Sequence, residues 1–349
     1  MFVSDRRRRT EMEEYMKILL YFENADIISK SGIGRAMKHQ IAALESQSID
    51  YTLDPDDDFD IAHINTIGLK SDILIKKWRK EGKKIIYHAH STEEDFRNSF
   101  IFSNQIAPLF KIRLISLYSK ADCIITPTPY SKKLISQYKG ITQKIYAISN
   151  GIDIDSYDYN ETYIQQFRNY FHLQPNQKVV MSVGLFFRRK GILDFIEIAK
   201  RLPNYTFIWF GDTPLYTIPH DIRKIVTGEH PDNVIFPGYI AGDIIKGAYA
   251  GSHAFLFASY EETEGIVVLE ALASYQQVIL RDIPVYNDWL EDGIHCYKGK
   301  NVDELTQLVY QVVEKKVPHL GKNGRKIAEE KSITEVGKQL HDIYQSLLK

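Results

Sequence analysis

One stretch decides the fold of this chain, and it reads Phe255-Leu-Phe-Ala-Ser-Tyr-Glu-Glu-Thr-Glu-Gly-Ile-Val-Val-Leu-Glu-Ala-Leu-Ala-Ser-Tyr-Gln-Gln-Val-Ile-Leu-Arg281. The pattern predicts a strand, an acidic turn with one glycine, a short apolar helix and a second strand. If the helix begins at Gly265 and Ile266, its free N–H groups and positive dipole end face the carboxyl edge of the sheet, where a phosphate can bind. Glu270 then lies roughly 7.5 Å along the helix axis, a distance that suits the ribose of a nucleotide. Glu262 precedes the helix and is free to reach a group beyond the phosphates.

The acidic residues of this turn have a simpler alternative explanation. Glu261, Glu262 and Glu264 stand just before a helix, where acidic side chains ordinarily complement the helix dipole. Glu270 is less easily explained, because it lies in an apolar helix and an unpaired buried carboxylate is costly. It needs a partner, either from the protein or from a ligand.

The rest of the chain alternates short apolar strands with helices in two successive series. This order predicts an α/β protein with two doubly wound, Rossmann-like domains that face each other across a cleft. A length of 349 residues fits two domains of about 150 residues each. We expect a flexible extension (1–15), a first domain (16–155), a second domain that binds the nucleotide (156–331) and a C-terminal helix (332–349).

Two segments of the first half carry candidate binding residues. Gly32 and Gly34 follow the first strand and open a helix, and Arg35 is the next residue. Glycines at such a turn let the backbone approach a phosphate, although a tight turn explains them equally well. His88 and His90 end a buried strand, where ligands of α/β proteins gather. Because they are two residues apart, both side chains lie on the same side of the strand. Only one of them is expected to face the cleft.

In the second half, Arg188, Arg189 and Lys190 follow a strand. Three cations at this place either form a solvated surface or neutralise a departing diphosphate. Asp153 and Asp155 form a D-x-D sequence, which can bind a metal, but a turn-capping role is favoured here. The acidic loop 54–60 is interpreted as a solvated turn.

Glu262 and Glu270 match the Glu-x7-Glu motif of the retaining, two-domain glycosyltransferases of the GT-B, family 4 type. The chain resembles most closely the bacterial diglycosyl-diacylglycerol synthases, which add a second sugar to a monoglycosyl-diacylglycerol. The similarity runs from residue 17 to the C-terminus. It is carried further by Ser-Gly-Ile-Gly-Arg (31–35), His-Ala-His-Ser-Thr-Glu-Glu-Asp-Phe-Arg-Asn (88–98), Ser-Asn-Gly-Ile-Asp (149–153) and Gly-Leu-Phe-Phe-Arg-Arg-Lys-Gly (184–191).

The resemblance implies transfer of glucose or galactose from its UDP ester to a glycolipid, monoglucosyl-diacylglycerol, without a divalent metal or other cofactor. It places the acceptor on the side of the first domain and the nucleotide-sugar in the second. It assigns the diphosphate to Lys190, an adjacent arginine, the helix start at Gly265 and the glycine loop at Gly32 and Gly34, with Arg35 directed into the cleft. It assigns the ribose to Glu270, sugar hydroxyls to Glu262, the donor sugar to His90 and the nucleobase to the turn at Gly238. The chain departs from the family at Leu185, where an arginine is usual, and Arg188 or Arg189 is expected to replace it. The last helix is expected to brace the first domain.

The surface and composition favour a peripheral membrane protein of the cytoplasm. Residues 93–120 form an amphipathic helical stretch, interrupted by Pro108, that suits an interface or the protein's own core. Within 96–144 there are eight basic residues and one acidic residue, which favours binding to an anionic membrane surface.

The two cysteines show no pairing pattern, and no nucleic-acid partner is expected. A soluble or polysaccharide acceptor, a UDP-sugar epimerase and a catalytically silent binding protein remain alternatives.

Overall fold

The computed structural model describes residues 16–23 and 32–349. The predicted extension 1–15 and Ser31 of the glycine turn lie outside the described residues. The described chain forms two lobes, each built on a six-stranded sheet in which every strand pairs in parallel. Continuous apolar runs such as Ile-Leu-Leu at 18–20 form these strands because both faces of a parallel sheet are covered.

The first sheet has the order β2-β1-β3-β4-β5-β6. Its strands are β1 (Lys17–Tyr21), β2 (Asp50–Thr52), β3 (Ile61–Ile64), β4 (Lys84–His88), β5 (Cys123–Thr126) and β6 (Lys144–Ala147). The second sheet has the order β12-β11-β10-β7-β8-β9. Its strands are β7 (Val179–Val183), β8 (Thr206–Phe210), β9 (Val234–Gly238), β10 (Ala254–Phe257), β11 (Val278–Arg281) and β12 (Tyr297–Gly299). The edge strands β2 and β12 were not predicted, because each is three residues long and lacks an apolar run.

Helices cover the faces of both sheets. In the first lobe they are α1 (Gly32–Ser46), α2 (Leu69–Lys80), α3 (Glu93–Phe96), α4 (Ser103–Tyr118) and α5 (Pro129–Ser136). In the second lobe they are α6 (Glu161–Tyr170), α7 (Ile192–Arg201), α8 (His220–Val226), α9 (Asp243–Gly251), α10 (Ile266–Ala273), α11 (Val302–Val313) and α12 (Gly321–Glu330). The final helix is α13 (Ile333–Leu348).

The predicted helical stretch 93–120 is two helices, and the prediction of a break at Pro108 was wrong. The chain leaves the helical conformation between α3 and α4, where Phe102 takes a left-handed conformation with φ of 64°. Pro108 lies inside α4. Phe100, in the segment between the two helices, packs against Phe187 of the second lobe with ring centroids 4.6 Å apart. The break therefore serves a contact between the lobes.

The last helix, α13, returns to the first lobe and packs on α1. Gly337 permits the close approach, because a β-carbon there would lie 2.5 Å from the carbonyl oxygen of Ala43. Leu340 and Tyr344 of α13 are buried in the core that they share with the first sheet. The chain enters the second lobe and leaves it side by side, since Ile152 and Ser332 form a β-bridge.

Candidate active site

The acidic turn before α10 is held between the two lobes. Thr128 of the first lobe donates a hydrogen bond from Oγ1 to the carbonyl oxygen of Thr263, at 2.8 Å. Both the backbone N–H and the side-chain amide of Asn150 donate to Glu264 Oε2, at 3.0 and 2.8 Å. Gly265, with φ of 87°, precedes α10, and no side chain caps the helix. These acids therefore do not cap α10 through a side-chain hydrogen bond, and their effect on the helix dipole stays a prediction.

Glu262 is 4% exposed and lies beside two cations. The ammonium of Lys190 is 2.5 Å from Glu262 Oε1, the hydroxyl of Ser259 donates to the same oxygen at 2.6 Å, and the guanidinium of Arg189 is 3.8 Å away. Burial alone would raise the pKa of Glu262, but Lys190 and Arg189 hold it below its usual value. Burial lowers the pKa of Lys190. The pair places a charged carboxylate and an ammonium at the carboxyl ends of β7 and β10.

Of the two candidate arginines, Arg189 reaches this pair and Arg188 does not. Arg189 donates to Ser99 Oγ at 2.8 Å and lies 2.9 Å from Asp95 Oδ1, so it joins the two lobes. Arg188 instead pairs with Asp221 at the surface of the second lobe. Leu185, at the family's arginine position, packs against the apolar core of that lobe.

Glu270 is 1% exposed, and its partners are supplied by the protein. Arg35 Nη1 of the first lobe is 2.6 and 2.7 Å from its two carboxylate oxygens. Tyr249 donates its hydroxyl to Glu270 Oε2 at 2.6 Å. The carboxylate of Glu270 raises the pKa of Arg35 above its ordinary value. Glu270, the predicted ribose ligand, is thus paired with Arg35, the residue that follows the predicted glycine turn.

The predicted glycines lie at the same edge of the sheets. Gly32 is the first residue of α1 and Gly34 is buried in its first turn. Gly238 ends β9 with φ of 79°, and its carbonyl accepts a hydrogen bond of 2.9 Å from the N–H of Gly211. Ile266 is the first residue of α10. The structure therefore brings these residues to the cleft edge, while their contacts with a nucleotide remain predictions.

His90 follows β4 and stacks on His88, with ring centroids 4.1 Å apart and planes at 5°. Its Nε2 lies 2.9 Å from Asn65 Oδ1, and the hydroxyl of Thr263 donates to its carbonyl at 3.3 Å. Burial lowers the pKa of His90 to about 4. Both histidines line a cavity of about 230 Å³ in the first lobe, together with Glu23, Ile33, Asn65, Thr66, Ile67, Gly68, Ser91 and Tyr118.

Sequence reasoning missed several residues of this site. Asp95, Ser259, Tyr249 and Asn65 contact predicted residues but belong to no motif. Asp95 does lie in a segment quoted for its family resemblance. Ser259 lies three residues before its partner Glu262, whereas the partners of Tyr249 and Asn65 are 21 and 25 positions away. No local pattern distinguishes these three side chains from ordinary surface or core residues.

The acidic sequences considered as metal sites serve other purposes. Asp153 accepts hydrogen bonds from the backbone and hydroxyl of Ser156 and so caps the turn at 155–157. In the acidic loop, Asp57 and Asp58 pair with lysines at the surface. Across 16–23 and 32–349, histidine, cysteine, aspartate and glutamate form no group of three able to hold a metal ion. In the same ranges no helix combines the length and apolar character that crossing a bilayer requires.

This arrangement fits recognition of a sugar nucleotide more than chemistry by a protein nucleophile. Buried carboxylates recognise hydroxyl groups, while Lys190, Arg189 and the start of α10 provide positive charge for a departing diphosphate. Positioning plus stabilisation of the leaving group is the form of catalysis that such a site supports.

Comparison with known proteins supports this interpretation. Residues 32–156 match the model of Glycosyltransferase Family 4, and residues 164–330 match that of the Glycosyl transferases group 1. A processive diacylglycerol alpha-glucosyltransferase of Acholeplasma laidlawii is 48% identical over 334 residues, which cover 96% of this chain and 99% of that protein. An alpha-galactosylglucosyldiacylglycerol synthase of Streptococcus pneumoniae is 26% identical, over 85% of this chain and 78% of that protein.

Solved structures share the architecture. The Anabaena protein HepE, in complex with UDP and glucose, superposes with a TM-score of 0.76 at 18% identity, covering 95% of this chain and all of that chain. Sucrose-phosphate synthase from Thermosynechococcus elongatus gives a TM-score of 0.78 at 16% identity, covering 95% and 99%. The predicted two-lobed GT-B architecture is confirmed.

Proposed function

Because the chain belongs to the glycosyltransferases of group 1 and family 4, we propose that it transfers glucose from UDP-glucose to monoglucosyl-diacylglycerol. The reaction retains the configuration of the sugar and gives a diglucosyl-diacylglycerol. The name of the relative from Acholeplasma laidlawii supports a glucosyl donor and a diacylglycerol lipid. UDP-galactose is the alternative donor, which the name of the relative from Streptococcus pneumoniae brings into consideration.

The donor half of the site is built from the second lobe. In the proposed complex, Lys190, Arg189 and the start of α10 hold the diphosphate, and Glu270 accepts hydrogen bonds from the ribose hydroxyls. Glu262 accepts from hydroxyls of the glucose. The positive groups replace a divalent metal in stabilising the leaving UDP. Such stabilisation is effective here because the carboxylates and Lys190 are largely withdrawn from water.

The observation that carries the acceptor assignment is the position of the His90 cavity beside an exposed apolar surface. Gly68 lines the cavity, and the next residue, Leu69, begins α2 with its side chain in solvent. Arg113 of α4 donates to the carbonyl of Gly68 at 2.6 Å, so α4 lies against the same rim. A lipid lying against this surface can place its sugar in the cavity.

The exposed surface has the composition of a membrane-binding face. On α2, Ile73 is 70% exposed. Helical spacing puts Leu69, Ile73, Lys76 and Lys80 on one side of α2. On α4, Ile106, Leu109 and Ile112 are exposed at intervals of three residues. Apolar side chains bordered by lysines favour association with the anionic surface of a bilayer.

The decisive assay supplies the purified protein with monoglucosyl-diacylglycerol in micelles that contain an anionic lipid. UDP-glucose and UDP-galactose are tested in parallel, and the lipid product is separated and identified. A diglucosyl-diacylglycerol formed only from UDP-glucose supports the proposal. Transfer to a water-soluble glucoside at an equal rate would instead favour the soluble-acceptor alternative.

The same assay tests the metal requirement. Because cations of the protein lie where a metal would act, EDTA is expected to leave the initial rate within about twofold of the untreated enzyme. Complete inhibition by EDTA that Mg²⁺ or Mn²⁺ reverses would contradict this proposal and reopen a metal-binding role for Asp153 and Asp155.

A further inference from the structure

Three histidine rings form a buried stack in the first lobe. His63 of β3 lies on His88, with centroids 5.3 Å apart and planes at 13°, and His88 lies on His90 at 4.1 Å. His63 is fully buried and His88 almost so. At its inner end the stack meets the last helix, where the hydroxyl of Tyr344 is 2.7 Å from His63 Nδ1. A continuous set of polar contacts thus joins α13 to the cavity.

The contacts of Gln40 indicate where the protons of His88 and His63 lie, although Nε2 of His88 is buried without a hydrogen-bond partner. Gln40 Nε2 is 2.6 Å from His88 Nδ1 and 3.0 Å from Asn65 Oδ1. Its two amide protons satisfy both contacts, so Nδ1 of His88 is an acceptor and its proton is on Nε2. His63 Nε2, 3.2 Å from His88 Nδ1, then carries the proton of His63. His63 Nδ1 is therefore the acceptor for the hydroxyl of Tyr344.

His90 completes the arrangement through Asn65. The amide nitrogen of Asn65 donates to the carbonyl of His63 at 3.3 Å, which turns Oδ1 towards Gln40 and His90. Oδ1 accepts from Nε2–H of His90 at 2.9 Å. The proton of His90 is consequently on Nε2, and the side chain of Asn150 also lies beside the ring.

The rings stay neutral over the ordinary pH range. Burial lowers the pKa of His63 to about 3 and that of His90 to about 4, and it lowers the pKa of His88 well below its usual value. A neutral imidazole has one donor and one acceptor nitrogen. The hydroxyl of Tyr344 at Nδ1 and the acceptor nitrogen of His88 near Nε2 therefore favour the same tautomer of His63.

We propose that Tyr344 is a positioning residue for the transfer reaction: its hydroxyl, acting through His63, His88, Gln40 and Asn65, holds the ring of His90 in place. This inference rests on the proposed function for the role of His90 beside the sugar. It gives the last helix a part in the active site, although α13 contributes no side chain to the cavity lining.

The test compares Y344F with Y297F. Both changes remove one hydroxyl from a mostly buried tyrosine, and Tyr297 donates to the carbonyl of Pro318 at 2.8 Å in the second lobe. For Y344F we expect kcat to fall about three- to tenfold, with the KM for UDP-glucose within about twofold of wild type. Y297F is expected to keep the wild-type kcat. A kcat for Y344F equal to that of Y297F would overturn the proposal.

Nitrogen-15 NMR of histidine-labelled protein gives a readout that does not depend on turnover. In the wild type, His63, His88 and His90 are expected as neutral Nε2–H tautomers. In Y344F, His63 loses its donor at Nδ1, and we expect its Nδ1–H tautomer to appear together with shifted signals from His88. Unchanged tautomers in Y344F would overturn the relay. If the wild type transferred no sugar to any lipid, the proposed function would fail, whereas the NMR result would still decide the relay.

Discussion

At the scale of single residues, the two carboxylates of the Glu-x7-Glu motif are each paired with a cation of the protein. Glu262 pairs with Lys190, and Glu270 pairs with Arg35. A buried carboxylate without such a partner would be strongly destabilising. Hydroxyl groups of a nucleotide-sugar must therefore share these carboxylates with the cations or displace them.

Replacement of Glu270 tests the ribose assignment. In E270Q the side chain keeps its size and the hydrogen bond from Tyr249, but it loses the charge that pairs with Arg35 and that we propose binds two ribose hydroxyls. We expect kcat/KM for UDP-glucose to fall about 100-fold, measured with the micelle assay, while circular dichroism stays unchanged. E229Q, at an exposed carboxylate of the same lobe, is the matched control. Near-normal turnover by E270Q would refute the site.

Glu261 provides a pH-dependent test of the turn between the lobes. Burial raises its pKa to about 7, although the hydroxyl of Tyr130, 3.1 Å from Oε2, opposes this shift. A raised pKa means that the contribution of Glu261 to stability is fully present below about pH 4.5 and is lost as the pH rises through about 7.

We therefore expect E261Q, which does not titrate, to gain stability relative to the wild type between pH 5 and pH 8. Urea unfolding at several pH values measures the difference. E330Q, at an exposed position, should show no such trend. A difference between E261Q and wild type that is constant with pH would show that Glu261 titrates normally.

The predictable part of the site consisted of residues with a recognisable local sequence. Glu262, Glu270 and Lys190 stand at motif spacings, and the structure places all three at the cleft between the lobes. Arg189 could not be separated from Arg188 in advance, because the direction of a side chain in a single helical turn depends on tertiary contacts. Arg35 was expected in the cleft, but its pairing with Glu270 joins residues 235 positions apart.

At the scale of secondary-structure elements, the apolar strands were predictable from the sequence, whereas the polar strands at the edges of the sheets were not. β10 and β11 are continuous apolar runs, which only a covered sheet explains. β12 reads Tyr-Lys-Gly and becomes a strand because β11 offers it a free edge. Likewise Pro108 was expected to break a helix. The helical stretch is instead broken before α4, where Phe100 contacts the other lobe.

The exposed faces of α2 and α4 lead to a prediction about the membrane. Leu109 and Ile112 are 68% and 63% exposed, so polar replacements should not disturb the core. We expect L109S/I112S to bind anionic vesicles at least about fivefold more weakly in sedimentation, and to lose activity on micellar acceptor. Its thermal unfolding should match that of the wild type.

I294S, a change of the same kind at an exposed aliphatic residue of the second lobe, serves as the control. It is expected to bind vesicles as the wild type does. Equal vesicle binding by L109S/I112S and I294S would exclude this face as the membrane-binding surface.

At the scale of the whole molecule, the buried histidines of the first lobe make the fold sensitive to acid. His63, His88 and His90 are neutral in the folded protein but become charged in the unfolded chain below about pH 6.5. The unfolded state then binds more protons, and each histidine lowers the free energy of unfolding by about 1.4 kcal/mol per pH unit. This loss is expected as the pH falls from about 6.5 to about 4.5, above the range in which most carboxylates titrate.

Urea unfolding at pH 7.5, 6.5, 5.5 and 4.5 measures this loss. A steepening decline below pH 6.5 is expected, partly offset by Glu261, whose raised pKa acts in the opposite direction. Constant stability down to pH 5 would mean that the three rings accept protons in the folded protein.

The two crossings between the lobes lie next to each other. The N–H of Ile152 donates to the carbonyl of Lys331, and the N–H of Ile333 donates to the carbonyl of Ile152, at 3.1 and 3.0 Å. Because the two connections are hydrogen-bonded side by side, the lobes have little freedom to translate relative to each other. Any separation of the lobes is therefore a hinge rotation about this pair of connections. Since α13 is packed on the first lobe and moves with it, the contact between Tyr344 and His63 would be preserved during every such rotation.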